Sequence, residues 1–276
     1  MKSKKKPQKG QASKTTSHSK NLNSHHKAAQ HKTSETIKAV LIALFAALIL
    51  RQFVIASYNV PTGSMKDTIL VGDFMFVNKF IYGARTPVWA GIPFTEMGVY
   101  LPEWMQFKSP SIAEPKVKDI VVFDYPLDRK IDYIKRCVAV GGQAVEVRGK
   151  SLMVDGKPEG HLTPLAQKFD PGAIPKQNID YTNITTDAGK SYTIRHHTYS
   201  YVPRSDYGPE TVPEGHFFMM GDNRDNSLDS RKWKYVPRDH IVGKPLMVWL
   251  SWNNLEVPAY RFYDKIRWAR LGTVLR

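Results

Sequence analysis

Three short stretches of the chain carry residue types that can do covalent chemistry. In Pro61-Thr62-Gly63-Ser64-Met65, proline and glycine force a turn and a serine stands at its exit. Such a turn can bring a hydroxyl and a nearby backbone N–H to one point, as a nucleophile and an oxyanion donor require. In Asp132-Tyr133-Ile134-Lys135-Arg136-Cys137-Val138-Ala139-Val140, strand alternation puts Tyr133, Lys135, Cys137 and Ala139 on one face. A lysine among aromatic and small residues is poorly hydrated. Desolvation lowers its pKa and can leave a neutral amine, which is a base. Each stretch also has an ordinary reading: a Thr/Ser-stabilised turn, and a lysine whose amine reaches water.

The third stretch is Gly221-Asp222-Asn223-Arg224-Asp225-Asn226-Ser227-Leu228-Asp229-Ser230-Arg231. It has neither strand nor helix periodicity, and its residues hydrogen-bond locally and build turns. Its flanks, His216-Phe217-Phe218-Met219-Met220 and Lys244-Pro245-Leu246-Met247-Val248-Trp249-Leu250, are strongly apolar. A polar knot between core segments must satisfy its own donors and acceptors, so it reads as a rigid scaffold that can orient a base. A calcium loop fits poorly, because counting from Asp222 the third position is Arg224 and the sixth is Ser227 rather than glycine.

The elements that must position these groups follow in chain order. Residues 1 to 35 hold Lys2, Lys4, Lys5, Lys6, Lys9, Lys14, Lys20, Lys27 and Lys32 against Glu35 alone, and read as a disordered basic cytoplasmic tail. That tail supplies about half of the net charge of +15, so the charge argues only weakly for nucleic acid, and none is expected as a partner. Residues 36 to 57 are apolar all round and long enough, at roughly 30 Å as a helix, to cross a bilayer. We read them as one uncleaved transmembrane signal anchor, with a cleaved signal peptide and a buried helix as the alternatives. Lysines before the span put the N-terminus in the cytoplasm and the rest outside. Residues 58 to 276 then form the extracytoplasmic domain. Cys137 is the only cysteine, so no internal disulfide is expected.

Within that domain, Val71 to Gly83 reads as a turn and a strand, Lys118 to Tyr125 as a strand ended by Pro126, and Val145 to Pro158 as a hairpin turning at Asp155-Gly156. The core is expected at about 58–83, 116–145 and 216–276, with insertions at about 84–115 and 146–215, the second an irregular β insertion. Residues 84 to 116, rich in proline and aromatics, lie on the membrane surface or form a small core of their own. The basic-aromatic end, with Arg261, Lys265, Arg267 and Arg270, has the same two readings. No phosphate-binding glycine loop and no HExxH occurs, and no metal or cofactor is expected.

Taken together, the motifs resemble those of type I signal (leader) peptidases, in the family's order. Pro61 to Met65 matches the nucleophile segment. Gly72-Asp73 with Val77-Asn78-Lys79-Phe80 and Tyr82-Gly83 matches the next motif, Tyr133 to Arg136 the general-base strand, and Gly221 to Arg231 the polar signature residue for residue. Two features depart from the pattern: Gly141-Gly142-Gln143 stands where Pro-Gly-Asp is usual, and one span is read where many relatives have two. The resemblance implies a mainly antiparallel β fold and a membrane-bound serine endopeptidase with a Ser-Lys dyad. Ser64 is then the nucleophile and Lys135 the general base. The Ser64 N–H and Thr62 hydroxyl form the oxyanion hole. Ser227 orients the Lys135 amine, supported by Asp229, and Arg231 pairs with Asp229. Val60, Met65, Ile69, Tyr133 and Ile134 match pocket-lining positions. Substrates would be exported preproteins with small side chains at the first and third positions before the cut. The enzyme would be a monomer in the bacterial plasma membrane, in contact with the lipid bilayer.

Two rivals share these features. A self-cleaving Ser-Lys peptidase of the SOS-repressor type would need a soluble helical DNA-binding domain where this chain has a basic tail and an apolar run. A membrane-anchored β-domain adaptor would have no use for an intact Ser64, Lys135 and polar knot.

Overall fold

The computed structural model describes residues 35–51, 53–86, 88–91, 97–170, 176–186, 189–198, 206–253 and 260–275. The chain divides into two units between Leu50 and Arg51. The described part of the first, residues 35–50, is helical, and its large apolar side chains, Leu41, Phe45 and Leu48 among them, are all exposed. Among the described residues, no helix is long and apolar enough to cross a membrane. The helix expected to reach residue 57 stops earlier, because Ile55–Asn59 is a strand paired antiparallel with Asp73–Asn78. β-branched Ile55 and aromatic Tyr58 suit that pairing. The basic tail expected over residues 1 to 35 lies, apart from Glu35, outside the described residues.

The second unit is built on a seven-stranded antiparallel sheet. Its spatial order is Ile55–Asn59, Asp73–Asn78, Ile241–Ser251, Ile120–Tyr125, Asp128–Val140, His216–Met220, Val236–Pro237. Asp73–Asn78 alternates buried and half-buried residues, as a strand with one face on the core must. Ile120–Tyr125 is buried on both faces: Ile120 and Val122 pack with Met65, Ile69 and Val248, whereas Val121 and Phe123 pack with Tyr82, Cys137 and Met219. Fully burying one such side chain contributes about 1.5–3 kcal/mol, so these two layers hold the central strands firmly.

Alternation along Asp128–Val140 is broken once. Phe218 pairs with Ala139 and Met219 with Cys137, a bulge that skips Val138. Tyr133 and Cys137 therefore share one cluster while Ala139 joins Val138 in another, and the single face expected for Tyr133, Lys135, Cys137 and Ala139 ends at the bulge. Between the core strands lie a two-stranded ribbon, Trp89–Gly91 with Gly98–Tyr100, and two four-stranded sheets. One of these joins Ala144–Arg148, Ser151–Val154, Lys157–Pro158 and Tyr207–Thr211. Its chain turns at Gly149 as well as at Asp155-Gly156, so the expected single hairpin is two. The other sheet joins His161–Pro164, Lys168–Asp170, Gln177–Thr185 and Ser191–His197, and it packs against the polar knot.

Candidate active site

The turn over residues 61–70 carries Ser64 between two core strands. Its backbone is tied down by Val60 N–H to Asp73 O at 3.0 Å and Gly72 N–H to Val60 O at 3.0 Å. Met65 and Ile69 anchor its underside, each 0 % exposed. Lys135 enters from the long strand Asp128–Val140, the sheet neighbour of Ile120–Tyr125. Its Nζ lies 2.6 Å from Ser64 Oγ, and both side chains are buried. Tyr133 places its ring centroid 5.1 Å from the same amine. Burial pulls the Lys135 pKa from 10.5 down to about 8, against the charges of Asp229 and Asp222, which act to raise it. Near neutrality a useful fraction of this amine is therefore unprotonated, and an unprotonated amine at this distance can take the hydroxyl proton.

The dyad opens into a cleft of about 300 Å³. Thr62, Val60, Tyr133 and Ile134 line it, and Thr62 is exposed on the turn. Met65 and Ile69 do not line it. They are core residues beneath the turn, and Met65 Sδ accepts from the Asp222 N–H at 3.4 Å. Their apolar character is the same in either setting, and only the direction of the turn decides between them. Tyr58, Asp132 and Leu228 line the cleft without having been expected there.

The polar knot is a built scaffold. Asp229, 0 % exposed, accepts from the Gly221 N–H at 3.2 Å and pairs with Arg231 through Nε at 2.8 Å and Nη2 at 2.8 Å. It also caps the short helix Ser230–Trp233 by accepting from the Arg231 N–H. Asn223 grips the serine turn, its Nδ2 donating to Gly63 O at 2.9 Å and its N–H to Ser64 O at 3.0 Å. Gly221 permits this approach, since a Cβ there would collide with Ser64 O and Ser227 Oγ. Ser227 Oγ is buried beside Gly221 but makes no hydrogen bond to Lys135, contrary to the expected orienting contact.

Several residues of the site carried no expected role. Arg136 sits next to Lys135 but points away from the dyad and reaches Asp222 of the knot through Nε at 2.8 Å and Nη2 at 2.7 Å. Asp222 also accepts from Thr68 Oγ1 of the serine turn at 2.7 Å. Behind them Arg136 stacks on Tyr192 at 4.0 Å, Tyr192 donates to Glu159 at 2.8 Å, and Glu159 holds Arg224 through two hydrogen bonds of 2.8 and 2.6 Å. The signal was present: strand alternation turns Arg136 away from Lys135, and a buried guanidinium needs a carboxylate. Among the described residues no cluster of metal-ligating side chains occurs.

Comparison with known proteins agrees with these motifs. A family model described as "Signal peptidase, peptidase S26" matches residues 33–252. Signal peptidase I of Pseudomonas aeruginosa is 36 % identical over 254 residues, covering 86 % of this chain and 78 % of that protein. Signal peptidase I of Aquifex aeolicus is 29 % identical over 250 residues, covering 78 % of this chain and 83 % of that protein. A crystal structure of a signal peptidase I from Enterococcus faecalis matches 49 % of this chain and 98 % of its own at 26 % identity, with a TM-score of 0.29, an overlay too loose for comparing details. With the family match running from before the serine turn to beyond the polar knot, the chain belongs to the signal peptidase family of serine endopeptidases.

Proposed function

We propose that this protein is a membrane-anchored signal peptidase that cuts exported preproteins with a Ser64–Lys135 dyad. The observation that carries this reading is the 2.6 Å separation of Lys135 Nζ and Ser64 Oγ inside a cleft. Ser64 Oγ attacks the scissile carbonyl carbon while its proton passes to the neutral Lys135 amine. The negative charge that develops on the carbonyl oxygen is met by the Ser64 N–H and the Thr62 hydroxyl. Lys135 then returns the proton to the leaving amine. An ester to Ser64 remains, and a water deprotonated by Lys135 hydrolyses it, regenerating the serine.

The supporting groups follow. Asp229 and Arg231 stiffen the knot. Val60, Tyr133 and Ile134 admit small side chains at the first and third positions before the cut. The apolar run to which the helix of residues 35–50 belongs holds the chain at the bacterial plasma membrane, with the basic tail in the cytoplasm and the β domain outside. The protein acts as a monomer and needs no metal, cofactor or nucleic acid.

The test uses the full chain in lipid vesicles with a preprotein. Cleavage at one site by the wild type, and none by Ser64→Ala or Lys135→Met, is expected. Tight binding of the preprotein without cleavage by the wild type would leave the adaptor reading in its place.

A further inference from the structure

The second four-stranded sheet reaches the active site through one residue. Arg195, on the strand Ser191–His197, is 2 % exposed. Its main chain makes an isolated parallel bridge with Asn223: the Arg195 N–H donates to Asp222 O at 2.9 Å, and Arg195 O accepts from the Arg224 N–H at 3.0 Å. Asn223 is the residue that holds the carbonyls of Gly63 and Ser64. The Arg195 side chain reaches the same turn from its other end. Nη1 donates to Asp67 Oδ2 at 3.2 Å and Nη2 to Asp170 Oδ2 at 2.5 Å, and Asp170 also accepts from Lys66 Nζ at 2.7 Å.

The residues gripped are therefore the two carbonyls at Gly63 and Ser64 and the side chains two and three places after Ser64. Asp67 has φ of +79°, the left-handed region that a residue with a Cβ enters only at a cost and keeps only where its surroundings hold it. The ion pair with Arg195 holds it from a rigid strand. Lys66, in the same cluster, shares Asp170 and is partly exposed, as Asp67 is, whereas the guanidinium of Arg195 and its contact with Asp170 are buried.

We propose that Arg195 is a positioning residue for the nucleophile turn, which makes the second sheet a working part of the peptidase rather than an appendage. The proposal rests on the Ser64–Lys135 reading. Arg195 touches neither substrate nor dyad. It fixes the turn from both sides of Ser64 so that Oγ stays within reach of the Lys135 amine and in line with the scissile carbonyl. A displacement of about 1 Å at a reacting atom costs on the order of 100-fold in rate, so the loss of this grip should appear in turnover.

The test compares the full-length wild type with Arg195→Met, Arg195→Lys and Asp67→Asn in detergent micelles. The substrate is a fluorogenic peptide with alanine at the first and third positions before the cut, and thermal unfolding is followed in parallel. Arg195→Met should lower kcat roughly 10- to 100-fold with KM within about twofold, the pattern of lost alignment rather than lost binding. Arg195→Lys should recover part of that loss. Asp67→Asn should lower kcat by several-fold alone and add little in the Arg195→Met background, since contacting residues that act together are not additive. Unchanged kcat in folded Arg195→Met, or a rise in KM alone, would overturn the proposal. If Arg195→Met does not fold, Asp67→Asn and Arg195→Lys decide: full kcat in both overturns it. Failure of the dyad itself is separate, because then Ser64→Ala would still cleave.

Discussion

Arg136 and Asp222 stand 86 residues apart in the chain and meet through two parallel hydrogen bonds of 2.8 and 2.7 Å, each residue 1 % exposed. This contact ties the residue after Lys135 to the residue before Asn223, which holds Ser64. It is the beam between the strand that carries Lys135 and the knot. Replacing one member of a buried pair strands the other charge in a dry interior. Arg136→Met should therefore lose about 3–5 kcal/mol of unfolding free energy in urea titration. A loss under about 1 kcal/mol would mean that the pair is solvated.

The protonation of Lys135 sets the pH dependence. Its folded pKa of about 8 lies below the ordinary 10.5 because burial disfavours the ammonium. The unfolded chain thus binds a proton more readily, and the stability associated with this group is present above pH 10.5 and lost as pH falls through about 8. At neutral pH the group opposes folding by about 3 kcal/mol. Lys135→Met should be more stable than the wild type at pH 7 and inactive. In the wild type kcat should rise with pH through about 8 as the amine becomes neutral. Lys135→Arg should be inactive throughout, because a guanidinium keeps its proton. A flat pH–rate profile, or an active Lys135→Arg, would remove Lys135 as the base.

Thr62 is exposed and lines the cleft beside Ser64. Thr62→Val keeps its shape and removes the donor. A donor to a developing oxyanion acts on the transition state, so kcat should fall roughly 100- to 1,000-fold with little change in KM. Steady-state kinetics on one peptide substrate decide the matter, and an unchanged kcat takes Thr62 out of the hole.

Ile134 is partly buried, packs against the core cluster of Val60 and Met65, and still lines the cleft. Ile134→Ala should widen the pocket and admit a larger side chain before the cut, with a discrimination change of about 10- to 100-fold for one or two methylenes. Sequencing the products from a panel of preproteins shows whether cut sites shift. Identical sites throughout would make Ile134 a core residue only.

Much of the site was legible in the linear chain because its parts are local. Pro61 and Gly63 make the turn that presents Ser64, the alternation around Lys135 makes a strand, and the polar run between apolar flanks makes a knot. Each depends on neighbours within a few residues, where backbone sterics and periodicity act. Short apolar runs separated by turn residues mark strands for the same reason, while their antiparallel arrangement was implied by the family resemblance.

What only the tertiary structure decided is which distant groups meet. Lys135 and Ser64 are 71 residues apart, and their separation depends on the order of strands in the sheet, which no local pattern encodes. Met65 and Ile69 match the family's pocket-lining positions and are core in the fold, because apolar type reports burial and not what is buried against. The apolar segment continues past residue 51, yet Ile55–Asn59 becomes a strand because pairing with Asp73–Asn78 outweighs helical continuation. Nothing local to Arg195 named its partners. A lone arginine in a polar insertion acquires its role only when Asp67, 128 residues earlier, and Asp222, 27 residues later by the numbering, fold against it. Electrostatic partners at such separations are chosen by packing, and packing is settled by the whole chain at once.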